Sequence, residues 1–222
     1  MNGGKPNSLA PYGYLSDAVA DASGNVYFTG QLGLAPYFWK NDVSPLDLSI
    51  GGEYGGWVEQ IVVDSSGNLY ASGEVWLSSC KPVYWKTDGG VWGAPIDLPM
   101  GASYSGYGYW DVGGMALDPS GNVDLYAYIG ISPGNWQSST TIVFWKGASS
   151  APTKLSLGGN AYFSKLPNMC AADADGNFFI TCSLGSSENS TKPYYWENGG
   201  NPIPLDISGH AFGETDGIVI AP

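Results

Sequence analysis

The sequence contains no arginine and only eight lysines, against twenty acidic residues, so its formal net charge is −12. Without arginine, the chain lacks the planar guanidinium fork that binds phosphate and carboxylate groups in a bidentate manner. The excess of negative charge would also repel a nucleic-acid backbone or an anionic membrane surface. We therefore expect no nucleic-acid partner.

Histidine and long apolar runs are also scarce. The single histidine, His210, excludes a metal site built from several histidines, and no G-x-S-x-G segment supplies a nucleophile for a catalytic triad. No run of about 18 apolar residues is present, so we expect no membrane insertion. No signal peptide is visible at the N-terminus. The low share of charged residues, 13%, together with abundant glycine and aromatic residues, favours an extracellular or cell-surface location.

A five-residue turn recurs four times in the chain, as DASGN, DSSGN, DPSGN and DADGN, starting at Asp21, Asp64, Asp118 and Asp173. Each copy lies between a short apolar strand and a second strand. A third strand with an aromatic pair and a fourth strand follow, as in APYFWK and SPLDLSIGG. Four short strands per unit of about 40 to 55 residues predict an all-β fold, a β-propeller of four visible four-stranded repeats.

We expect the whole chain, residues 1–222, to form this one domain. The repeats cover about 14–56, 57–106, 107–160 and 161–210, with partial repeat strands at 1–13 and 211–222. The propeller is four-bladed, or five-bladed only if strands from the termini or from a partner complete another blade.

Two features of the repeat have both a structural and a ligand-binding interpretation. A tryptophan recurs at one position of the third strand, where it either fills the gap between blades or stays exposed to stack on sugar. These residues are Trp39, Trp85, Trp145 and Trp196. The aspartate turn either closes a hairpin through its own side chain or, where Asp173 and Asp175 place two carboxylates together, binds calcium. We expect no other cofactor.

The repeat resembles known bacterial repeat families. The pattern D-x-S-G-N-[VL]-Y-x-x-G resembles the SBBP-type β-propeller repeat, and [YF]-W-[KE] followed by P-[LI]-D-L resembles the HAF-type extracellular repeat. The resemblance covers most of the chain. It implies a secreted or surface-associated protein of non-catalytic role, and it carries over no catalytic residue.

The two ends match different parts of the repeat, which leaves three arrangements open. The ring closes with four blades, or the termini assemble a fifth, or the spare strands pair with another copy in a filament or tandem array. The last arrangement predicts self-association through residues near the ends and through one cysteine. These assembly residues are Leu9, Cys80, Ile218, Val219 and Ile220.

The remaining cysteines, Cys170 and Cys182, flank the fourth turn and are either paired in a disulfide or buried as free thiols. Cys80 is then either a crosslink to another chain or a tolerated thiol.

Aromatic-rich loops and acidic residues near the strand starts are the remaining candidates for a ligand site. The loop aromatics could stack on sugar rings, form a subunit interface or pack onto the blades. They are Tyr104, Tyr107, Tyr109, Trp110 and Trp136. Paired carboxylates of a glycosidase could come from Asp17, Glu59, Asp111 and Asp216. The sequence favours a non-enzymatic structural or assembly module, with a glycan-binding, lectin-like propeller as the alternative and a carbohydrate hydrolase third.

Overall fold

A computed structural model describes residues 13–41, 44–76, 79–103, 109–130, 141–158, 162–163, 170–186, 190–210 and 218. These residues form four separate antiparallel sheets, each built from one sequence repeat. The all-β class and the four propeller blades are therefore confirmed. Within the described part of the chain, no helix is long and apolar enough to cross a membrane.

The first two blades follow chain order from strand to strand. Blade 1 consists of β1 (Gly13–Ala20), β2 (Val26–Leu32), β3 (Ala35–Lys40) and β4 (Leu46–Asp47). Blade 2 consists of β5 (Gly55–Val63), β6 (Leu69–Trp76), β7 (Cys80–Asp88), β8 (Val91–Trp92) and β9 (Ile96–Asp97). In blade 2, both β8 and β9 pair with β7.

The other two blades repeat this order. Blade 3 consists of β10 (Tyr109–Leu117), β11 (Val123–Gly130), β12 (Thr141–Trp145) and β13 (Thr153–Lys154). Blade 4 consists of β14 (Tyr162–Phe163), β15 (Cys170–Ala172), β16 (Phe178–Gly185), β17 (Lys192–Glu197) and β18 (Ile203–Pro204). Both β14 and β15 pair with β16 at the position that a single first strand takes in the other blades.

The recurring aspartate turn closes the first hairpin of every blade. In blade 1, Asp21 Oδ1 accepts hydrogen bonds from the backbone N–H groups of Ser23 and Asn25, both at 2.9 Å, and Oδ2 accepts one from Asn25 Nδ2 at 2.7 Å. These bonds to Asn25 lower the pKa of Asp21 to about 2. Gly24 supplies the positive φ of 82° that the turn requires. The same bonds recur at Asp64, Asp118 and Asp173, so the hairpin interpretation is confirmed.

All four repeated tryptophans are almost fully buried, and three of them pack between blades, in agreement with the first of their two interpretations. Three of them donate an indole N–H to a backbone carbonyl in the outer segment of the preceding blade. Trp85 bonds Ser49 O at 2.7 Å, Trp145 bonds Pro99 O at 2.9 Å and Trp196 bonds Ser156 O at 2.8 Å. For Trp39, no acceptor lies among the described residues.

The first strands of successive blades contact one another and therefore line the centre of the propeller. Polar side chains join them. Asp17 of β1 accepts a bond from the backbone N–H of Ile61 in β5 at 3.1 Å, and Gln60 of β5 accepts one from Met115 in β10 at 2.5 Å. Because Asp17 and Gln60 occupy the same repeat position, the same inter-blade hydrogen bond is made twice.

Side chains from opposite blades meet at the centre. The Gln60 amide oxygen of blade 2 lies 4.0 Å from the Cys170 sulfur of blade 4. A Cβ on Gly114 of blade 3 would lie 3.0 Å from both of these groups, so glycine at this position allows the contact. Residues of blades 2, 3 and 4 therefore meet at this point.

Cys170 and Cys182 do not form the disulfide that is one of the two interpretations of their spacing. The strand register pairs Cys170 with Ile180, two residues away from Cys182, and both thiols are free and buried. Counting outward from Asp175, the middle of the turn, gives the same register, with Ala172 opposite Phe178 and Cys170 opposite Ile180.

The outer segment of blade 4 is more exposed than its counterparts. Leu205 is 42% exposed, whereas the leucines at the same repeat position, Leu48, Leu98 and Leu155, are 2%, 3% and 0% exposed. Ile218 is half-buried outside any regular strand. The other assembly candidates near the ends, Leu9, Val219 and Ile220, lie outside the described residues.

Candidate functional site

An acidic cluster lies where blades 2 and 3 meet, and its first member, Glu59, is placed by a β-bulge. The pairing of β5 with β6 shifts between Val58 and Gln60, which leaves Glu59 as the extra residue of the strand. A bulge turns a side chain away from the direction that regular alternation would give it, and bulges are common beside active sites. Glu59 is half-buried.

Glu74 and Asp111 complete the cluster from two other strands. Glu74 lies near the end of β6, and its carboxylate accepts a long hydrogen bond of 3.5 Å from the backbone N–H of Val112 in β10. Asp111 lies near the start of β10, opposite Tyr128 of β11. Both carboxylate residues are buried, with exposed fractions of 5% and 4%.

The three carboxylates are close enough to act on one another. One oxygen from each of Glu59, Glu74 and Asp111 lies within 4.8 Å of the other two. Two unit charges about 5 Å apart repel by roughly 3 kcal/mol at an effective dielectric constant of about 20. A cluster of this kind is stabilised when one carboxyl group carries a proton, which prepares it for acid–base chemistry.

Exposed aromatic rings lie beside the cluster. Trp57 is the cross-strand partner of Glu74, and its ring centroid lies 5.5 Å from that of Tyr14 and 6.2 Å from that of Trp76. Tyr14 is 50% exposed and Trp57 is 38% exposed. Tyr54, 67% exposed, adjoins Trp76 through a backbone hydrogen bond of 3.0 Å. We call Tyr14, Tyr54, Trp57 and Trp76 the aromatic row.

The hydroxyl end of Tyr14 is held in place although its ring is exposed. It donates a hydrogen bond to Gln31 Oε1, and Gln31 Nε2 donates to the carbonyl of Gly56 in blade 2 at 3.2 Å. Partial burial raises the pKa of Tyr14, and the charges of Glu59 and Glu74 raise it further. The phenol therefore lies within the electrostatic influence of the acidic cluster.

Two of the four acidic residues proposed from the sequence meet in the cluster. Glu59 and Asp111 come together, whereas Asp17 forms the inter-blade bond to Ile61 instead. Asp216 lies outside the described residues. The prediction from the sequence considered acidic residues near the starts of strands and therefore missed Glu74, which lies near the end of β6. Comparison of the repeats would find it, since the corresponding residues are Gln31, Tyr128 and Ser183.

None of the aromatic residues proposed from the loops is found as an exposed ring among the described side chains. Trp110 is not an exposed ring: it is fully buried and packs against Trp145, with the centroids 5.9 Å apart. Tyr109 lies at the start of β10. Tyr104, Tyr107 and Trp136 lie outside the described residues. The exposed rings of the aromatic row belong instead to blades 1 and 2.

Cys80 lies beside the cluster and is poorly suited to crosslink chains. Its thiol donates to the Trp110 carbonyl at 3.1 Å. Burial raises the pKa of Cys80 to about 12, and the charges of Glu74 and Asp111 contribute to the increase. Because the thiolate is the reactive form, only about one thiol in 10⁴ is ionised at pH 8.

We therefore expect Cys80 to react slowly with iodoacetamide in the native protein at pH 8. Mass spectrometry of the intact protein should show no adduct within minutes, while all three cysteines should be modified in concentrated urea. A reductant-sensitive dimer on a non-reducing gel would contradict this expectation.

Calcium at Asp173 and Asp175 stays a prediction. The carboxylate oxygens of Asp173 accept the hairpin bonds from Asp175 and Asn177, the same bonds that the other three turns make.

No protein-family model matches the chain, and no curated protein matches it significantly. Three solved structures share its fold. A polysaccharide lyase of family PL25, an ulvan lyase, has a TM-score of 0.52 and 13% identity, over 96% of this chain and 61% of the lyase. A Bacteroides thetaiotaomicron endo-arabinase has a TM-score of 0.52 and 11% identity, over 90% of this chain and 83% of its own. A thermostable family-43 glycoside hydrolase has a TM-score of 0.51 and 12% identity, over 92% of this chain and 75% of the hydrolase.

These similarities establish the propeller fold but leave membership of the SBBP- or HAF-type families a prediction. They contradict the prediction of a non-enzymatic structural or assembly module, because enzymes, among them a lyase and glycoside hydrolases, share the fold. That prediction relied on the repeat pattern and the incomplete terminal repeats, and its lectin-like alternative relied on the aromatic loops. Neither carries information about the acidic cluster. The chain spans 58% and 61% of the length of the ulvan lyase structures.

Proposed function

We propose that this protein is a carbohydrate-active enzyme that hydrolyses glycosidic bonds of an uncharged polysaccharide. The observation that carries the proposal is the acidic cluster of Glu59, Glu74 and Asp111 beside the exposed rings of Tyr14 and Trp57. Carboxyl groups supply the acid and base of glycoside hydrolysis, and aromatic faces bind the apolar faces of sugars. The likeness to carbohydrate-active propellers supports the proposal at the level of the fold.

The environments of the carboxylates suggest their roles. Glu59 is the most exposed of the three and retains its charge most easily, so it attacks the anomeric carbon. Glu74 and Asp111 are buried together, which favours a shared proton that passes to the oxygen of the departing sugar. Water then displaces Glu59 from the anomeric carbon and returns a proton to the Glu74–Asp111 pair. One oxygen of each carboxylate lies within 4.8 Å of the other two, less than the roughly 6.5 to 9.5 Å that the inverting route needs, so the cluster favours the retaining route.

The substrate is uncharged because the chain is poorly equipped for acidic sugars. It has no arginine and a net charge of −12, and the site itself contains three carboxylates. Hydrolysis needs only a proton donor and a carboxylate, both of which the cluster can supply, so these residues support it directly. A polymeric substrate also fits a secreted protein, which supports an extracellular location.

The test is release of reducing ends from a panel of neutral polysaccharides, including xylan, arabinan and mixed-linkage glucan. The triple variant Glu59→Gln, Glu74→Gln, Asp111→Asn should release none, while Asp88→Asn, at an exposed acid of β7, should match the parent. If the parent cleaves no polymer, or if the triple variant cleaves as well as the parent, the proposal is wrong.

A further inference from the structure

The exposed aromatic side chains of the described residues are confined to one part of the surface. Those of Tyr14, Tyr54 and Trp57 lie at or just before the starts of the first strands of blades 1 and 2. Leu15 and Leu34 are also exposed there, and the Leu34 carbonyl accepts a hydrogen bond from Gly56 at 3.0 Å. A clustered apolar patch of this kind marks a binding surface rather than the scattered exposure of an ordinary surface.

Neighbouring rings of the aromatic row are spaced like neighbouring sugars. The Tyr14 and Trp57 centroids lie 5.5 Å apart and the Trp57 and Trp76 centroids 6.2 Å apart, with interplanar angles of 48° and 44°. Each spacing is comparable to the length of one pyranose unit.

The row is held rigidly at both ends. Gln31 fixes the Tyr14 hydroxyl and is itself bonded to blade 2. At the other end, an ion pair of 2.8 Å between Lys81 and Glu53 attaches the segment before Tyr54 to β7. Rings that are already ordered lose little conformational entropy when a ligand binds, so they contribute more to affinity.

From these observations we propose that the aromatic row binds several consecutive sugars of a linear neutral glycan and passes one end of that chain to the acidic cluster. Trp57 is the junction, because it is paired with Glu74 in the sheet and contacts both of its neighbours in the row. The occupant is uncharged, because carboxylates lie beside the row and the chain contains no arginine. The inference rests on the proposed function and adds the length of the substrate to it.

The test measures binding separately from cleavage. The Glu59→Gln variant is titrated with linear oligosaccharides of xylose, arabinose and glucose, two to six units long, and binding is followed by calorimetry. Affinity should rise with chain length until the row is filled. Adding Tyr14→Ala should weaken binding of the longest oligosaccharide about tenfold and leave binding of the disaccharide nearly unchanged. Trp57→Ala, at the junction with the cluster, should weaken binding at every length, whereas Trp92→Ala, on the outer hairpin of blade 2, should weaken it at none.

The outcomes distinguish this inference from the proposed function. If the parent cleaves the oligosaccharides but Tyr14→Ala changes affinity equally at every length, or at none, the row is not a chain-binding surface. If affinity rises with chain length but the parent cleaves nothing, the aromatic row binds glycan chains and the proposed hydrolase activity is wrong. A parent dimer that Trp57→Ala dissociates in light scattering would make the patch a protein interface and overturn the inference.

Discussion

Replacing Glu59 with glutamine will lower the rate of glycosidic cleavage by about a thousandfold, because the amide cannot attack the anomeric carbon. The loss should be as large on a nitrophenyl glycoside as on the polysaccharide, since both require the same attack. Glu74→Gln should behave differently. This substitution removes a proton donor, so cleavage of the polysaccharide should become much slower. Cleavage of the nitrophenyl glycoside should become only slightly slower, because nitrophenolate leaves without protonation.

The comparison needs variants that fold. Glutamine has nearly the same shape as glutamate, and Asp88→Asn makes a comparable change at an exposed site distant from the cluster. Thermal unfolding should confirm that all the proteins are native before the rates are compared. If Glu59→Gln retained the parent rate on both substrates, the assigned roles would be refuted.

Trp85→Ala will destabilise the fold more than any substitution in the acidic cluster or the aromatic row, by about 4 kcal/mol of unfolding free energy. The Trp85 ring is fully buried in the core between blades 1 and 2, and the substitution would leave a cavity there. It would also remove the 2.7 Å hydrogen bond to the Ser49 carbonyl, worth about 1 kcal/mol in many proteins.

Urea unfolding followed by circular dichroism measures this loss, which should lower the midpoint without changing the far-UV spectrum of the native state. The matched control is Trp57→Ala in the same blade, where the ring is 38% exposed. That variant should lose no more than about 1 kcal/mol, as is usual for a surface position. Equal losses in the two variants would show that the repeated tryptophan does not hold the blades together.

The blade architecture could be predicted from the sequence because the repeat encodes it locally. Asp64 illustrates this: its turn needs only residues within five positions, and a local pattern is visible in a sequence. The register across blade 4 follows from the same kind of turn. A symmetric count outward from Asp175 pairs Cys170 with Ile180, as the sheet does, so the sequence already argues against the Cys170–Cys182 disulfide.

The acidic cluster could be predicted only in part, because it depends on contacts between strands of different blades. Glu59 reaches it through a bulge, which the alternation of apolar and polar residues does not indicate. Glu74 lies on a second strand whose counterparts in other blades are not acidic. At both positions, blade 2 has an acidic residue where the other blades have a different one. Such differences between repeats identify a site more reliably than the shared pattern, because the shared pattern shows only what every blade needs in order to fold.

The adjacent rings of Tyr14 and Trp57 have a kinetic consequence if they hold the substrate chain. A sugar chain that stays on these rings after cleavage competes with the incoming one for the same surface. We therefore expect product inhibition that grows with the length of the product.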